Sequence, residues 1–417
     1  MSTNLRHRGA ERVLLQMLSE SPVVLVTGPR QSGKSTLVRD LIAGRFPAQY
    51  LTLDDMALLD AATRDPQGFV GGITAPSVII DEVQLAPGLF RAIKMSVDAD
   101  RRPGRFLLTG SADPALSPQV SEALAGRMRS LTLWPLEQGE IAGAPASFIS
   151  RVFDEDALFA TRSGGLDRGD LIARIVAGGY PEVLSLPEGG ARQRWAEDYL
   201  LRVVERDVPR ISEIADRLAV PRLLRLLAAR SMQLLNLSEV GRMAEVKRAT
   251  LDRYMALLEA TYLVRLIPAW AGDPAREYAK RPKPVITDSG LACHLLGADQ
   301  QRLLRDPDLL GSLLEAFVAC ELVRQESFSD ARVRISHFRS TSAEVDLVLE
   351  DAAGRLVGVE VKSTASPTTA DFRGLRTFAE RTGERFVRGV LLHTGNASVP
   401  FGAGMWAVPA SAIWESA

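Results

Sequence analysis

The feature that most constrains this chain is a glycine-rich stretch between an apolar run and a helical pattern. It starts at Gly28 and has the sequence GPRQSGKST. Residues 23–26 before it are the apolar run of a buried strand, and a helical pattern starts near Lys34. The spacing G-x-x-x-x-G-K-[ST] in a strand–loop–helix setting predicts a loop that wraps a polyphosphate. The first third of the chain is therefore expected to be an α/β fold with a parallel sheet.

Each residue type in this loop has a chemical role. The glycines let backbone N–H groups curl around phosphate oxygens, and the start of the helix adds positive potential. Lys34 is expected to reach the β- and γ-phosphates, and the Ser35 hydroxyl to bind Mg²⁺. The expected ligands are ATP or ADP with Mg²⁺, and a chance match to the pattern is the alternative. The predicted nucleotide-binding residues of the loop are Gly28, Pro29, Arg30, Gln31, Ser32, Gly33, Lys34, Ser35 and Thr36.

A pair of carboxylates follows the next strongly apolar run. Residues 78–80 have the pattern of a buried strand and are followed by Asp81 and Glu82. In a parallel sheet the carboxyl ends of strands share an edge, so both side chains are expected beside the phosphate loop. There Asp81 can hold hydrated Mg²⁺, and Glu82 can polarise a water for attack on the γ-phosphate. The alternative is an ordinary strand end.

Three further residues are candidates for contact with the γ-phosphate. The strand pattern at residues 105–111 contains Thr109 and ends at Ser111, and either hydroxyl can sense the phosphate or simply cap the strand. Arg127 follows a helical pattern at residues 118–126. It can contact the γ-phosphate of its own site or of a neighbouring subunit in a homo-oligomer. The alternative is an ordinary surface arginine.

These motifs together resemble the AAA superfamily of ATPases. The resemblance rests on the phosphate loop, IIDEVQ in the third strand, LLTGSA in the fourth and LAGR before the fifth. More narrowly, the chain is similar to prokaryotic ATPases whose core precedes a helical region and a C-terminal domain of unknown function. The resemblance implies ATP hydrolysis. In related switches a Gly-x-Pro turn contacts the nucleotide, and Gly179, Tyr180 and Pro181 match that turn.

The middle of the chain has the order of a helix-turn-helix with a wing, over residues 211–270. Lys247, Arg248 and Arg253 are expected near the start of its third helix, where a recognition helix meets the DNA major groove. Acidic residues on the same helix make its charge mixed. A structural or protein-contact role is therefore the alternative to DNA binding.

The last third follows a different order of elements. A long helix at residues 310–326 precedes three strand patterns, a second helix and a further strand, which is the core order of restriction-endonuclease-like folds. Side chains alternate between the two faces of a strand. This alternation places Glu344 and Asp346 on one face of their strand, and Glu360 and Lys362 on one face of the next.

These charges predict a metal-dependent nuclease site acting on DNA or RNA. Glu315 on the long helix, Asp346 and Glu360 are the expected Mg²⁺ ligands. Lys362 is expected to activate or steer water and to offset charge on the scissile phosphate. One alternative is a set of charged edge-strand residues that discourage aggregation. The other is a nucleotide-operated switch in which this domain binds protein or DNA without cleaving it.

Length and motif order predict several domains. A chain of 417 residues is too long for one ordinary core. A small-molecule kinase is a weaker alternative function for the whole chain. Such an enzyme needs only a short lid after its nucleotide-binding core, whereas this chain has a long rear half. The predicted segments are 1–145 (ATPase core), 146–210 (helical region), 211–283 (winged-helix-like region) and 284–417 (restriction-endonuclease-like domain).

Charge and apolar content bound the partners. A net charge of −1 gives no global sign of affinity for nucleic acid or membranes, so any such surface must be local. Cys293 and Cys320 lack the spacing of metal ligands and fit a reducing compartment. No apolar run has the length of a membrane span, and the N-terminus lacks a signal-peptide core. The expected location is the cytoplasm.

Overall fold

The computed structural model describes residues 6–111, 124–143, 148–154, 166–207, 219–273, 277 and 280–415. A helix was predicted at residues 118–126, and its first six positions, 118–123, lie outside the described residues. The chain divides into two compact units, which we call the first and second units. The first unit is Met1–Leu136 with Ala260–Tyr262, and the second is Glu137–Glu259 with Leu263–Ala417.

The first unit is built on a five-stranded parallel sheet in the order β2-β3-β4-β1-β5. All five residues of β1 are buried between β4 and β5, which explains the continuous apolar run in that strand. The strands are β1 (Val23–Thr27), β2 (Gln49–Thr52), β3 (Val78–Asp81), β4 (Phe106–Thr109) and β5 (Met128–Thr132). The parallel sheet predicted for the front of the chain is confirmed.

Helices flank the strands of this sheet along the chain and bury their apolar faces. Phe90 and Ile93 of α5 belong to the same buried cluster as Leu25, Ile80 and Leu108 of the sheet. A π-helical turn, Leu37–Leu41, continues α2. The helices are α1 (Ala10–Glu20), α2 (Lys34–Thr36), α3 (Met56–Arg64), α4 (Pro66–Gly71) and α5 (Leu89–Ala99).

The second unit begins with helices. Those before the sheet are α6 (Gln138–Ala142), α7 (Phe148–Phe153), α8 (Arg168–Ala177), α9 (Pro181–Ser185), α10 (Gly190–Arg202), α11 (Ala219–Ala229), α12 (Leu237–Ala244) and α13 (Arg248–Ala260). Next come the paired strands β6 (Val264–Ile267) and β7 (Lys283–Ile286), then α14 (Ser289–Leu296), α15 (Gln300–Arg305) and α16 (Pro307–Glu326). No described helix combines the length and apolar character needed to cross a bilayer.

A six-stranded mixed sheet completes the second unit, in the order β12-β13-β11-β10-β9-β8. The pairs β8–β9 and β9–β10 are antiparallel, whereas β10–β11 and β11–β13 are parallel. The elements are β8 (Arg334–Arg339), β9 (Glu344–Glu350), β10 (Leu356–Lys362), α17 (Arg373–Thr382), β11 (Phe386–His393), β12 (Val399–Pro400) and β13 (Met405–Pro409). The predicted order of one helix, three strands, a helix and a strand is confirmed.

The division into units differs from the four predicted segments. The three rear segments form one compact unit because polar contacts join them. The Gly179 N–H of the predicted helical region donates to Asp288 Oδ2 of the last segment at 2.8 Å. Gln138, which was predicted to belong to the ATPase core, also lies in the second unit, where its backbone N–H donates to Glu321 Oε2 at 2.7 Å. The segment after β6 also bonds to β8, where the Trp270 N–H donates to the His337 carbonyl at 2.6 Å.

Candidate functional site

The phosphate loop has the backbone that its glycines predict. Gly28 and Gly33 have φ of 138° and 96°, in the left-handed region that favours glycine. A Cβ at Gly28 would lie 2.2 Å from the Leu133 carbonyl oxygen, so no larger residue fits there. The loop therefore passes directly against the strand-end backbone of the same unit.

The Lys34 side chain lies within this loop. Its Nζ donates to the carbonyl oxygens of Gly28 at 3.0 Å and Pro29 at 2.8 Å. The side chain is buried. These two bonds keep the positive charge at the loop that was predicted to hold the phosphates.

Arg8 also supports the loop, and sequence reasoning missed it. Its guanidinium donates to the Ser32 carbonyl at 2.8 Å and to the Trp134 carbonyl at 2.6 Å, and the residue is buried. Arg8 precedes α1 in an unpatterned stretch, so no local signal marks it. The fixed positive charge adds to the potential that favours an anion at the loop.

Asp81 is the centre of a hydroxyl network next to the loop. Its Oδ2 accepts from Ser35 Oγ at 2.9 Å and from the Tyr50 hydroxyl at 2.6 Å, and its Oδ1 accepts from Thr109 Oγ1. Burial and the bond to Asp81 raise the pKa of Tyr50, which therefore stays a neutral donor. The structure thus brings together the two predicted Mg²⁺ ligands, Ser35 and Asp81. Sequence reasoning missed Tyr50, whose strand position alone does not indicate this contact.

Glu82 and Ser111 are linked through a residue that sequence reasoning did not single out. Gln84 Nε2 donates to Glu82 Oε2, and also to Ser111 Oγ at 3.1 Å. Glu82 has a φ of 60°, uncommon for a non-glycine residue. Its backbone N–H donates to Thr109 Oγ1 at 3.1 Å. This arrangement fixes the Glu82 carboxylate at the same strand end as Asp81.

Arg127 lies at the amino end of β5, whereas the phosphate loop follows the carboxyl end of the neighbouring strand β1. Met128 pairs with Val23 at the start of β1, whereas the loop follows the end of that strand. Each of these strands has five residues, so its amino and carboxyl ends are roughly 16 Å apart. Arg127 Nε donates instead to Asp98 Oδ1 at 2.6 Å and lowers the pKa of that carboxyl. The predicted contact with the γ-phosphate of its own site is therefore wrong, and contact with a neighbouring subunit stays a prediction.

Pro181 begins α9, directly after a turn that Asp288 holds. Gly178 has a φ of 66°, and a Cβ there would lie 2.2 Å from Asp288 Oδ1. The following N–H, of Gly179, donates to the same carboxylate at 2.8 Å. The buried Tyr180 donates from its hydroxyl to that of Tyr199 at 2.8 Å. These contacts hold the turn within the second unit, and its contact with nucleotide stays a prediction.

The charged residues predicted on β9, β10 and α16 lie close enough to interact. Asp346 Oδ2 accepts from the Val361 N–H at 2.9 Å, and Glu360 Oε1 accepts from Lys362 Nζ at 2.7 Å. Burial, and then the charge of Asp346, raise the pKa of Glu315 to about 8 and that of Glu360 to about 7. We call Glu315, Glu344, Asp346 and Glu360 the carboxylate cluster.

A second lysine reaches this cluster from β7. Lys283 Nζ lies 2.8 Å from Glu344 Oε1 and 3.7 Å from Asp346 Oδ1, and the residue is only 1% exposed. Burial and the Lys283 charge lower the pKa of the neighbouring His337 to about 4. Lys283 lies between two prolines in RPKPV, a context that predicts a turn and not a buried ion pair.

The predicted Mg²⁺ ligand set in this cluster does not form a metal site as it stands. Among the described residues, no three or more His, Cys, Asp or Glu side chains are arranged to hold a metal ion. Asp346 faces Lys283 and a backbone N–H, and Glu360 pairs with Lys362. Lysines thus neutralise carboxylates that were predicted, with Glu315, to bind Mg²⁺.

A polar cleft of about 420 Å³ lies beside the cluster. Glu344, Glu360 and Lys362 line it, together with Arg339, Arg373 and the hydroxyl-bearing loop 340–342. Three basic side chains therefore border a cleft that is open to a polar ligand.

Comparisons with known proteins place the phosphate loop within a recognised domain. Residues 20–142 match the model of an AAA domain, residues 168–302 a domain of unknown function (DUF8612), and residues 310–413 a further domain of unknown function (DUF4143). The front of the chain, with its phosphate loop, is therefore similar to AAA domains. The restriction-endonuclease-like assignment of the last third stays a prediction.

Similar whole chains are also known. Over 411 residues this chain is 29% identical to an uncharacterized protein of Mycobacterium tuberculosis and to one of Mycobacterium bovis, covering 98% of this chain and 85% of each relative. A Walker-type ATPase of Pyrococcus abyssi has a TM-score of 0.40 at 15% identity, covering 70% of this chain and 97% of its own. A signal transduction ATPase with numerous domains and a tetratricopeptide repeat sensor, from Pyrococcus horikoshii, has a TM-score of 0.23 at 14% identity. That match covers 77% of this chain and 49% of the Pyrococcus horikoshii chain.

Proposed function

We propose that the AAA domain of this chain hydrolyses ATP to ADP and phosphate with the help of Mg²⁺. The observation that carries the proposal is the 2.9 Å hydrogen bond between Ser35 Oγ and Asp81 Oδ2. A loop hydroxyl and a strand-end carboxylate are the pair with which P-loop ATPases hold Mg²⁺. When bound, the ion neutralises charge on the β- and γ-phosphates. The oxygen donors of Ser35 and Asp81 fit this ion.

The other residues of the site have complementary roles in this proposal. Lys34 stabilises negative charge on the phosphates, and the N–H groups of the loop orient them. Glu82 accepts a proton from the attacking water, and Gln84 is a positioning residue that holds the Glu82 carboxylate. Arg8 acts through the loop backbone that it contacts.

Replacing Asp81 with asparagine tests this proposal. We expect the rate of phosphate release with MgATP to fall about 100-fold, because the site loses a charge that holds the ion. Binding of ATP measured in EDTA should persist, because Lys34 and the loop are unchanged. EDTA should also abolish phosphate release by the unmodified chain.

Asp60→Asn is the matched control for this measurement, since Asp60 is an exposed carboxylate on α3 that pairs with Arg64. Its rate of phosphate release should match that of the unmodified chain. An Asp81→Asn chain that hydrolyses ATP at the unmodified rate would contradict the proposal.

We also infer that the cleft beside the carboxylate cluster binds the phosphate backbone of DNA or RNA. Lys362, Arg339 and Arg373 border the cleft, and basic side chains are the usual contacts of a nucleic-acid backbone. Among the described residues the carboxylates are not arranged as a metal site, so the inference concerns binding and includes no metal-dependent step. Cleavage in addition to binding is the nuclease hypothesis, and binding alone is the switch hypothesis.

Incubation of labelled DNA and RNA with the chain and Mg²⁺ or Mn²⁺ separates these two hypotheses. Cleavage that is lost in Lys362→Ala but kept in Lys34→Ala supports the nuclease. Binding without cleavage supports the switch, provided that Lys362→Ala weakens it and lowers its salt dependence by about one ion. Lys280→Ala, at an exposed position outside the cleft, is the control. Absence of both binding and cleavage would contradict the inference.

A further inference from the structure

Lys283 is a buried cation that neither proposed activity uses. It is only 1% exposed, on a strand whose other three residues are Pro284, Val285 and Ile286. A buried ammonium is costly unless carboxylates neutralise it. Glu344 Oε1 at 2.8 Å and Asp346 Oδ1 at 3.7 Å provide that compensation.

The cations around the cluster are divided between its two sides. Lys362 Nζ bonds to Glu360 Oε1 at 2.7 Å, on β10. Lys283 pairs with the carboxylates on β9, where Glu344 and Asp346 project from the same face of the strand. Arg339 also contacts Glu344, at 3.1 Å, but its side chain is half exposed. Lys283 is therefore the buried cation that separates the Asp346 charge from that of Glu344.

One carboxylate oxygen in the cluster has no hydrogen bond within the described part of the chain. Glu360 is 9% exposed, and its Oε2 is buried without a hydrogen-bond partner among the described residues. Carboxylate oxygens are the ligands that Mn²⁺, Mg²⁺ and Ca²⁺ prefer. The cluster thus offers one carboxylate oxygen, Glu360 Oε2, that makes no hydrogen bond to any residue the structure describes, and the Lys283 ammonium lies against its Asp346 and Glu344 carboxylates.

We propose that Lys283 is the resident cation of the carboxylate cluster and takes the place of a divalent metal ion beside Glu344 and Asp346. Its ammonium lets the cluster fold without metal. A substitution that removes this charge and keeps a side chain of similar length turns the space beside Glu344 and Asp346 into a divalent-cation site. The proposal concerns the residues beside the nucleic-acid cleft, but it requires neither binding nor cleavage of nucleic acid.

Lys283→Met in the full chain tests this proposal without an activity assay. In EDTA and without nucleotide, we expect its thermal midpoint to fall by about 10 °C, because the buried Asp346 loses its cation and the half-buried Glu344 keeps only Arg339. Mn²⁺ should restore most of that loss in Lys283→Met and should change the unmodified chain little. Counting free Mn²⁺ by electron paramagnetic resonance should show one more bound ion per chain in the variant.

Two companion variants keep the test decisive if Lys283→Met does not fold in EDTA. Lys283→Met/Asp346→Asn removes the buried carboxylate that Lys283→Met leaves without a cation, so we expect it to be more stable than Lys283→Met and to respond less to Mn²⁺. Lys280→Met, at an exposed position on the same segment, should behave like the unmodified chain. Equal Mn²⁺ counts in Lys283→Met and the unmodified chain would overturn the proposal. So would a double variant that is no more stable than Lys283→Met.

Discussion

Replacing Lys34 with alanine is expected to lower the rate of ATP hydrolysis by about 1,000-fold. Lys34 Nζ is held at the loop by the carbonyls of Gly28 and Pro29, so its charge is already in place before nucleotide binds. Charge on the transferred phosphoryl group is stabilised by such preorganised cations. Phosphate release at saturating MgATP measures the effect, and the affinity for a fluorescent ATP analogue is expected to fall as well.

The control for this prediction is Arg39→Ala. Arg39 is exposed, follows Lys34 along the same helical segment and pairs with the neighbouring Asp40. The Arg39→Ala substitution removes one positive charge from the same region and leaves the residues of the phosphate loop unchanged. The rate of ATP hydrolysis should therefore stay close to that of the unmodified chain. If both variants slowed hydrolysis equally, the effect of Lys34 would be one of general charge and the assigned role would be incorrect.

Replacing Arg324 with methionine is expected to lower the free energy of unfolding of the second unit by about 3–5 kcal/mol. Its guanidinium pairs with Asp288 Oδ2 at 2.8 Å and Glu321 Oε1 at 2.7 Å, and all three residues are at most 2% exposed. Methionine keeps much of the volume but leaves two buried carboxylates without their cation. Urea unfolding followed by tryptophan fluorescence measures the change.

The same variant should also disturb the turn before α9. Asp288 holds the Gly179 N–H, so a displaced Asp288 carboxylate loosens the packing of Tyr180 on Tyr199. A weaker near-ultraviolet circular dichroism signal is expected below the unfolding transition. Arg248→Met is the control, because Arg248 forms an exposed pair with Asp252 that is worth at most about 1 kcal/mol. Equal losses in the two variants would contradict the importance of the buried network.

Local patterns predicted the elements that depend only on neighbours in the chain. The phosphate loop needs glycine at two left-handed positions, and its spacing to Lys34 and Ser35 is a property of a few consecutive residues. The parallel-sheet rule also placed Asp81 beside Ser35, because both follow the carboxyl ends of strands. Period-two alternation likewise placed Glu360 and Lys362 on one strand face, where they form an ion pair.

The sequence by itself thus determined the phosphate loop, the carboxylate at the neighbouring strand end and the order of elements in the last third. Only the tertiary structure decided which distant side chains complete these sites, since nothing periodic marks Arg8, Tyr50 or Lys283. It also placed Arg127 far from the phosphate loop. The parallel pairing of β5 with β1 puts Met128 beside Val23 at the start of β1, whereas the loop follows the end of that strand. Contacts of this kind depend on how strands pair and what they bury, and the local spacing of residue types does not encode them.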